Sequence, residues 1–179
     1  MIEKNPEGKY PIIGENSYIH TSAVIIGNVT IGNNVFIAPN VVIRADEPGS
    51  FIKILDNSNI QDGVIIHSLE HQGVIIGRNC SIAHGAIIHG PANINDNSFI
   101  GFSSLIFKSN IGRNVAILHK VLIENVNIPD NKLVESGNII KNSEELKKCR
   151  DITSDIVTFM KNVREVNLWL NKNYLKMKN

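Results

Sequence analysis

The chain has 179 residues, a single domain's worth, and its 18 Lys+Arg against 17 Asp+Glu leave a formal charge of +1. That balance excludes the broad electrostatic footprint needed for nucleic acid or an anionic membrane; no apolar run approaches the roughly 20 residues of a membrane span. The start, MIEKNPEGKYPIIG, lacks the basic region and apolar stretch of a signal peptide, so a cytoplasmic protein is expected. Two cysteines, Cys80 and Cys149, make neither a disulfide framework nor a metal spacing, and thirty Ile and twenty-four Asn beside ten aromatics point to a narrow, stacked interior.

In chain order, the predicted elements are rungs of one ladder. Ile19, Ile25, Ile31, Ile37 and Ile43 stand six apart; after a five-residue insertion come Ile54, Ile60 and Ile66; after a four-residue insertion come Ile76, Ile82, Ile88, Ile94, Ile100 and Ile106. Ile111, Ile117 and Ile123, then Ile128, Val134 and Ile140, continue it with two one-residue slips. Four residues after an Ile the side chain is usually small or β-branched, as at Ala23, Val35, Val64, Ala86 and Ser98, and this slot explains Cys80 as packing. A six-residue period fits neither a helix nor a plain strand. It fits a short strand plus a corner, three such sides closing one coil of a prism whose successive coils pair as parallel strands about 4.8 Å apart. Six or seven coils over residues 12–141 are expected, with Asn and Gly supplying left-handed corners.

Residues 1–142 therefore form a mainly β prism, and residues 143–179 a helical segment. Ser143–Arg150 reads as a short helix or a polar connector. Ile156, Met160, Val163, Leu170 and Tyr174, with Val157 and Asn167 between them, follow helical spacing, and Thr153, Ser154 and Asp155 supply cap and first turn, so a helix should lie along the prism.

The ladder also sorts the histidines. His67 follows Ile66 and His89 follows Ile88, three hexads apart, which stacks them on one edge in adjacent coils. His84, two residues after Ile82, belongs to a different side, so the count predicts that a metal, if bound, is held by His67 and His89 of one subunit and His84 of the next, around a threefold trimer. Arg44 lies one coil below His67, and Asp62, preceded by Gln61, one coil below His84. Both insertions leave the prism at the Arg44 and His67 edge and carry Asp46, Glu47, Glu70 and His71. Three histidines suit Zn²⁺, with Fe²⁺ or Co²⁺ as other compatible ions, leaving an open position for a water whose pKa falls to about 7. His20 and His119 lack partners in this count and are read as structural.

The stretches IRADEPGSFIKILDNSNIQDGVIIHSLE (Ile43 to Glu70) and IGRNCSIAHGAIIHGPA (Ile76 to Ala92) resemble the γ-class carbonic anhydrases, which are left-handed parallel β-helices. IGFSSLIFKSNIG (Ile100 to Gly112) and NIPDNKLVESG (Asn127 to Gly137) extend the similarity to about residues 10–141. The specific elements are Arg44-x-Asp46, the NIQDG of residues 59–63, and the two histidines of H-x4-H. The resemblance implies left-handed coiling and reversible hydration of CO2 to bicarbonate by a metal-bound hydroxide. It implies His67, His84 and His89 as metal ligands, with His84 donated across the trimer interface, and Arg44 and Asp46 at the subunit contact and near the anion. It also implies Asn59 and Gln61 lining the site, with Gln61 within reach of the hydroxide, Asp62 as acidic partner of the arginine, and Glu47 and Glu70 moving protons.

The chain departs from the family's prototype in two places. The long acidic loop after the position of Glu70 is reduced to His71, Gln72 and Gly73, which leaves His71 as a substitute shuttle. In the Tyr-x-Asn of the C-terminal helix, Glu165, Val166 and Asn167 stand instead, so Asn167 is kept and the tyrosine is not. Two alternatives accompany this reading. One is hexapeptide acyltransfer or thioester chemistry on coenzyme A, for which the sequence offers no nucleophile paired with an orienting base. The other is a metal-binding trimeric scaffold without catalysis.

Overall fold

In a computed structural model, which describes residues 1–178, every hexad places its Ile inside and its neighbours outside. From Ile25 to Ile140 the ladder residues are at most 2% exposed, and the small slot residues are buried between them. Branched side chains stacked in register fill a narrow axis, which is why aromatics are scarce in it. The chain closes into a left-handed β-helix of about seven turns with one C-terminal helix. Its first face has eight strands, running from Ile2–Glu3 through Val24–Gly27, Val42–Ala45, Ile65–His67, Ile87–His89 and Leu105–Phe107 to Leu122–Glu124 and Ile139–Ile140. The second face has seven strands, from Ile12–Ile13 to Asn127–Ile128, and the third runs from Tyr18–Ile19 to Lys132–Val134. All pairs within the coils are parallel, as Ile60↔Ile82 and Ile82↔Ile100 illustrate. The corners need left-handed backbone, and nine of the thirteen non-glycine residues with positive φ among those described are asparagines.

Two strands lie outside the hexad count. Ile2–Glu3 pairs with Ile25–Ile26, so the first face begins ten residues before the expected start of the coils at residue 12. Arg150–Asp151 adds to the third face, antiparallel to Lys132–Leu133. Between the last coil and that strand, the Ser143–Arg150 region forms a 3₁₀ turn over Glu145–Lys148, and Leu146 and Cys149 pack on the end of the core. Thr153 caps the helix Ser154–Lys178 through its carbonyl to Val157 N–H (3.0 Å) and its hydroxyl to Ile156 N–H (3.5 Å). The helix runs back along the third face, from Ile156 and Met160 beside Leu133 to Tyr174 beside Tyr18. Val157, placed on the packed stripe by its spacing, points to solvent instead, because Met160, Asn167 and Asn171 set the buried line. No helix among the described residues is long and apolar enough to cross a membrane.

Candidate functional site

The first edge follows directly from strand register. Arg44, His67 and His89 come one residue after inward isoleucines and therefore point outward, and His67 pairs with Arg44 below it and His89 above it. His67 Nδ1 lies 3.2 Å from His89 Nε2, with the rings edge to face. The 46–50 and 68–72 insertions close over them. Arg44 donates from Nε and Nη2 to Asp46 Oδ2, at 2.9 and 2.7 Å. Asp46 Oδ1 is 3.4 Å and Glu47 Oε1 3.6 Å from His67 Nε2. Glu47 Oε2 accepts the Glu70 N–H at 2.7 Å, and His71 Nε2 stands 3.8 Å from Glu70 Oε1.

Three atoms of this edge, Asp46 Oδ1, His67 Nε2 and Ser68 Oγ, are buried without a hydrogen-bond partner. A buried polar atom left unpaired costs about 1–3 kcal/mol; Asp46 Oδ1 and His67 Nε2 face one another at 3.4 Å without hydrogen-bond geometry, and Ser68 Oγ is buried on the next residue. The imidazoles fit a cation: two nitrogens of a tetrahedral shell at about 2.0–2.1 Å lie about 3.3 Å apart, close to the observed spacing. Among the described residues no three His, Cys, Asp or Glu side chains of one chain converge as a metal set.

The second edge lies on the third face, beneath the helix. Residues preceding the inward isoleucines, Tyr18, Phe36, Asn59, Ser81 and Phe99, stack in register on its outer surface. Asn59 Nδ2 donates to Ser81 Oγ at 2.8 Å, and Gln61 Nε2 donates to Asn59 Oδ1 at 3.0 Å, so two buried amides fix one another. At the corner, Asp62 Oδ2 is 2.9 Å from His84 Nδ1, which favours the tautomer that leaves Nε2 with its lone pair. Within the chain Asp62 is thus the partner of His84, while the partner of Arg44 is Asp46. Asn167 is buried, donating Nδ2 to the Val163 carbonyl one turn earlier.

Gln61, Asp62, His84 and Asn167 share the wall of a cavity of about 370 Å³ with Tyr18, His20 and Tyr174. On the other side of Asn167 a second cavity, about 400 Å³, is walled by Phe99, Phe102 and Phe159. Burial, and then the neighbouring Tyr174, push the Tyr18 hydroxyl up, so it stays protonated at neutral pH. His20, read from the sequence as structural, stands in that first wall, with Nδ1 2.8 Å from Ser22 Oγ. His119 stacks on Phe102, ring centroids 4.3 Å apart, and Phe102 in turn meets the His84 ring. Tyr18 and His20 flank Ile19, Tyr18 within the third-face strand and His20 just after it. That hexad position is the signal that places them; the helix that roofs them has no hexad to read.

One chain therefore brings His67 and His89 together with Arg44, Asp46, Glu47 and Glu70, and brings His84 together with Asn59, Gln61, Asp62 and Asn167. The two groups stand on different edges.

Residues 10–45 match the family model described as bacterial transferase hexapeptide (six repeats). The carboxysome assembly protein CcmM of Nostoc sp. is 40% identical over 173 residues, which are 91% of this chain and 31% of that protein. The chain thus spans about a third of the length of that relative. The carbonic anhydrase of Methanosarcina thermophila is 36% identical over 170 residues, 84% of this chain and 68% of that protein. Among solved structures, a Bacillus cereus protein named for acetyl transfer superposes with a TM-score of 0.86 over 99% of this chain and 98% of its own, at 24% identity, a likeness of fold. With the hexapeptide coils, the stacked histidines and identity to the archaeal enzyme over most of both chains, this chain belongs to the γ-class carbonic anhydrase family.

Proposed function

We propose that the protein interconverts CO2 and bicarbonate at sites shared between subunits of a homotrimer, each built from His67 and His89 of one copy and His84 of the partner subunit. The observation that carries this reading is the in-register imidazole pair, its nitrogens 3.2 Å apart, with the Asp46 and Glu47 carboxylates facing the other nitrogen of His67. A divalent cation held there, Zn²⁺ first and Fe²⁺ or Co²⁺ as alternatives, would supply the Lewis acidity that brings a water's pKa to about 7. Asp46 and Glu47 face His67 and orient its ring, as carboxylates do for ligating imidazoles. Gln61, tied to Asn59, presents a fixed amide to the attacking oxygen. Arg44, half exposed, offers positive charge where bicarbonate departs. Glu47 and Glu70 carry the proton outward, and His71 is the next group along that path. Asn167 holds the cavity wall beside Gln61.

Two inactive variants test the shared site. In stopped-flow hydration assays on zinc-loaded or anaerobic ferrous protein, His67→Ala and His84→Ala should each lose activity. Co-expressed, they should recover about one quarter of it, the fraction of randomly paired interfaces with both halves intact. No recovery from mixed trimers sinks the shared site.

The identity to the Nostoc assembly protein favours a second reading, a trimeric metal-binding scaffold without catalysis. Bound metal with no hydration in either ionic form selects it. Acyl transfer through a thiol is disfavoured, because burial pushes Cys80 up to about 12 and raises Cys149 as well.

A further inference from the structure

The N-terminal turn, outside every hexad, grips the first insertion. Asn5, 5% exposed, closes the turn on itself: its backbone carbonyl accepts the Gly8 N–H at 2.9 Å and its Oδ1 the Lys9 N–H, also at 2.9 Å. Its Nδ2 then reaches across to the Ala45 carbonyl at 3.2 Å, immediately before Asp46. Two residues after Asn5, the Glu7 carboxylate oxygens accept the Gly49 N–H, at 3.2 and 3.3 Å. Asn5 and Glu7 therefore hold the segment that carries Asp46 and Glu47 at both of its ends.

That segment is also stitched to the second insertion. The His71 N–H donates to the Pro48 carbonyl at 2.9 Å, and the Glu70 N–H to Glu47 Oε2. Gly49 has φ +64, and a Cβ there would lie 2.5 Å from His71 Nδ1, so the two loops are in close contact at this glycine. A displacement of Gly49 thus moves both carboxylates that face His67.

We propose that Asn5 and Glu7 are positioning residues: the N-terminal turn is a clamp that sets where Asp46 and Glu47 stand against His67. This rests on the metal-site reading for its consequence, but the clamp itself is measurable without metal or substrate. The Glu7 carboxylate makes a charge-assisted hydrogen bond with the Gly49 N–H. Losing one at an exposed loop should speed local opening by about tenfold, the factor that corresponds to about 1.4 kcal/mol.

The experiment is amide hydrogen exchange on the full metal-free chain, wild type against Glu7→Ala, Glu7→Gln and Asn5→Ala. Glu7→Ala should raise exchange about tenfold in residues 46–50 and 69–72 and leave Ile82–Ile106 unchanged. Glu7→Gln, which keeps an acceptor oxygen, should restore much of the protection. Asn5→Ala should loosen the same residues more; the exposed Glu7 carries the test if that variant folds poorly. Unchanged exchange in 46–50, or a uniform rise along the whole solenoid, overturns the clamp. Zinc release to a chelator supplies the second readout, with Glu7→Ala about tenfold faster than wild type and Glu7→Gln near wild type. Equal release from all three removes the positioning role. A wild-type chain that takes up no zinc while the exchange pattern holds counts against the metal-site reading and leaves the clamp standing.

Discussion

The edge with His67 and His89 and the edge with His84 are made from the same hexapeptide, but they are assembled by different means. On the first, each ring is placed by parallel pairing between consecutive coils, and its carboxylates arrive on insertions that leave and rejoin the same strands. On the second, the coil supplies only Asn59, Gln61, Asp62 and His84; the roof is a helix that begins 70 residues after His84, at Ser154, and is fastened at its far end. Asn171 does the fastening, accepting the Tyr18 N–H at 2.9 Å and donating to the Asn16 carbonyl at 2.7 Å. The Tyr18, Phe36 and Tyr174 rings stack beside it. The first edge is a consequence of the solenoid, and the second needs the solenoid plus a docked helix.

The largest expected effect comes from a change beneath the first edge that both edges share. Ile66 is fully buried, pairs with Ile43 and Ile88, and immediately precedes His67. Ile66→Ala should cost about 3–4 kcal/mol, from lost transfer energy and a cavity that stacked coils are poorly able to collapse. Urea titration measures it. A loss below about 1 kcal/mol would mean that the axis relaxes freely and does not hold the histidines in register.

A smaller effect separates the edges. Asn171→Ala removes both hydrogen bonds that fasten the helix, leaving the Asn16 carbonyl and the Tyr18 N–H without that side chain. About 2 kcal/mol of helix docking should go. Amide protection should fall in the last two helical turns, while the 65–67 and 87–89 strands keep theirs. Equal loss on both edges would show that the helix and the first face are one cooperative unit.

The difference between the edges also governs what could be read from sequence. Stacking of His67 on His89 and of both above Arg44 follows from counting hexads, because a parallel coil has one register and isoleucine marks it. Placement of His84 above Asp62 follows in the same way. The helix carries no such mark, and its rotation is set by packing between distant residues; hence Val157 proved exposed and Tyr18 and His20 entered a wall with Gln61 and Asn167. Ile2–Glu3 and Arg150–Asp151 were invisible for another reason. Each is two residues long, one flanked by a charged, glycine-containing turn and the other wholly charged, and both gain strand structure only from the edges they cover.

The smallest effect sharpens the account of the slot residues, on the corner that leads into the strand before His84. Cys80 is fully buried, with Sγ 3.2 Å from the Asn95 carbonyl, and burial pushes its thiol up to about 12 from about 9. Between those values the folded chain holds a proton that the unfolded chain has lost. The stabilisation that depends on the neutral thiol is therefore complete below pH 9 and is lost as pH rises toward 12. The slope reaches about 1.4 kcal/mol per pH unit, so about 1 kcal/mol should be gone by pH 10. Cys80→Ala has no proton to lose and should lack this part of the alkaline decline, although its melt at pH 8 sits lower for the missing sulfur. Parallel urea titrations of the two proteins at pH 8 and pH 10 isolate the thiol from every other group that titrates there. If the two decline equally, the thiolate reaches water through a corner that opens, and the slot is looser than the close packing between its isoleucine neighbours implies.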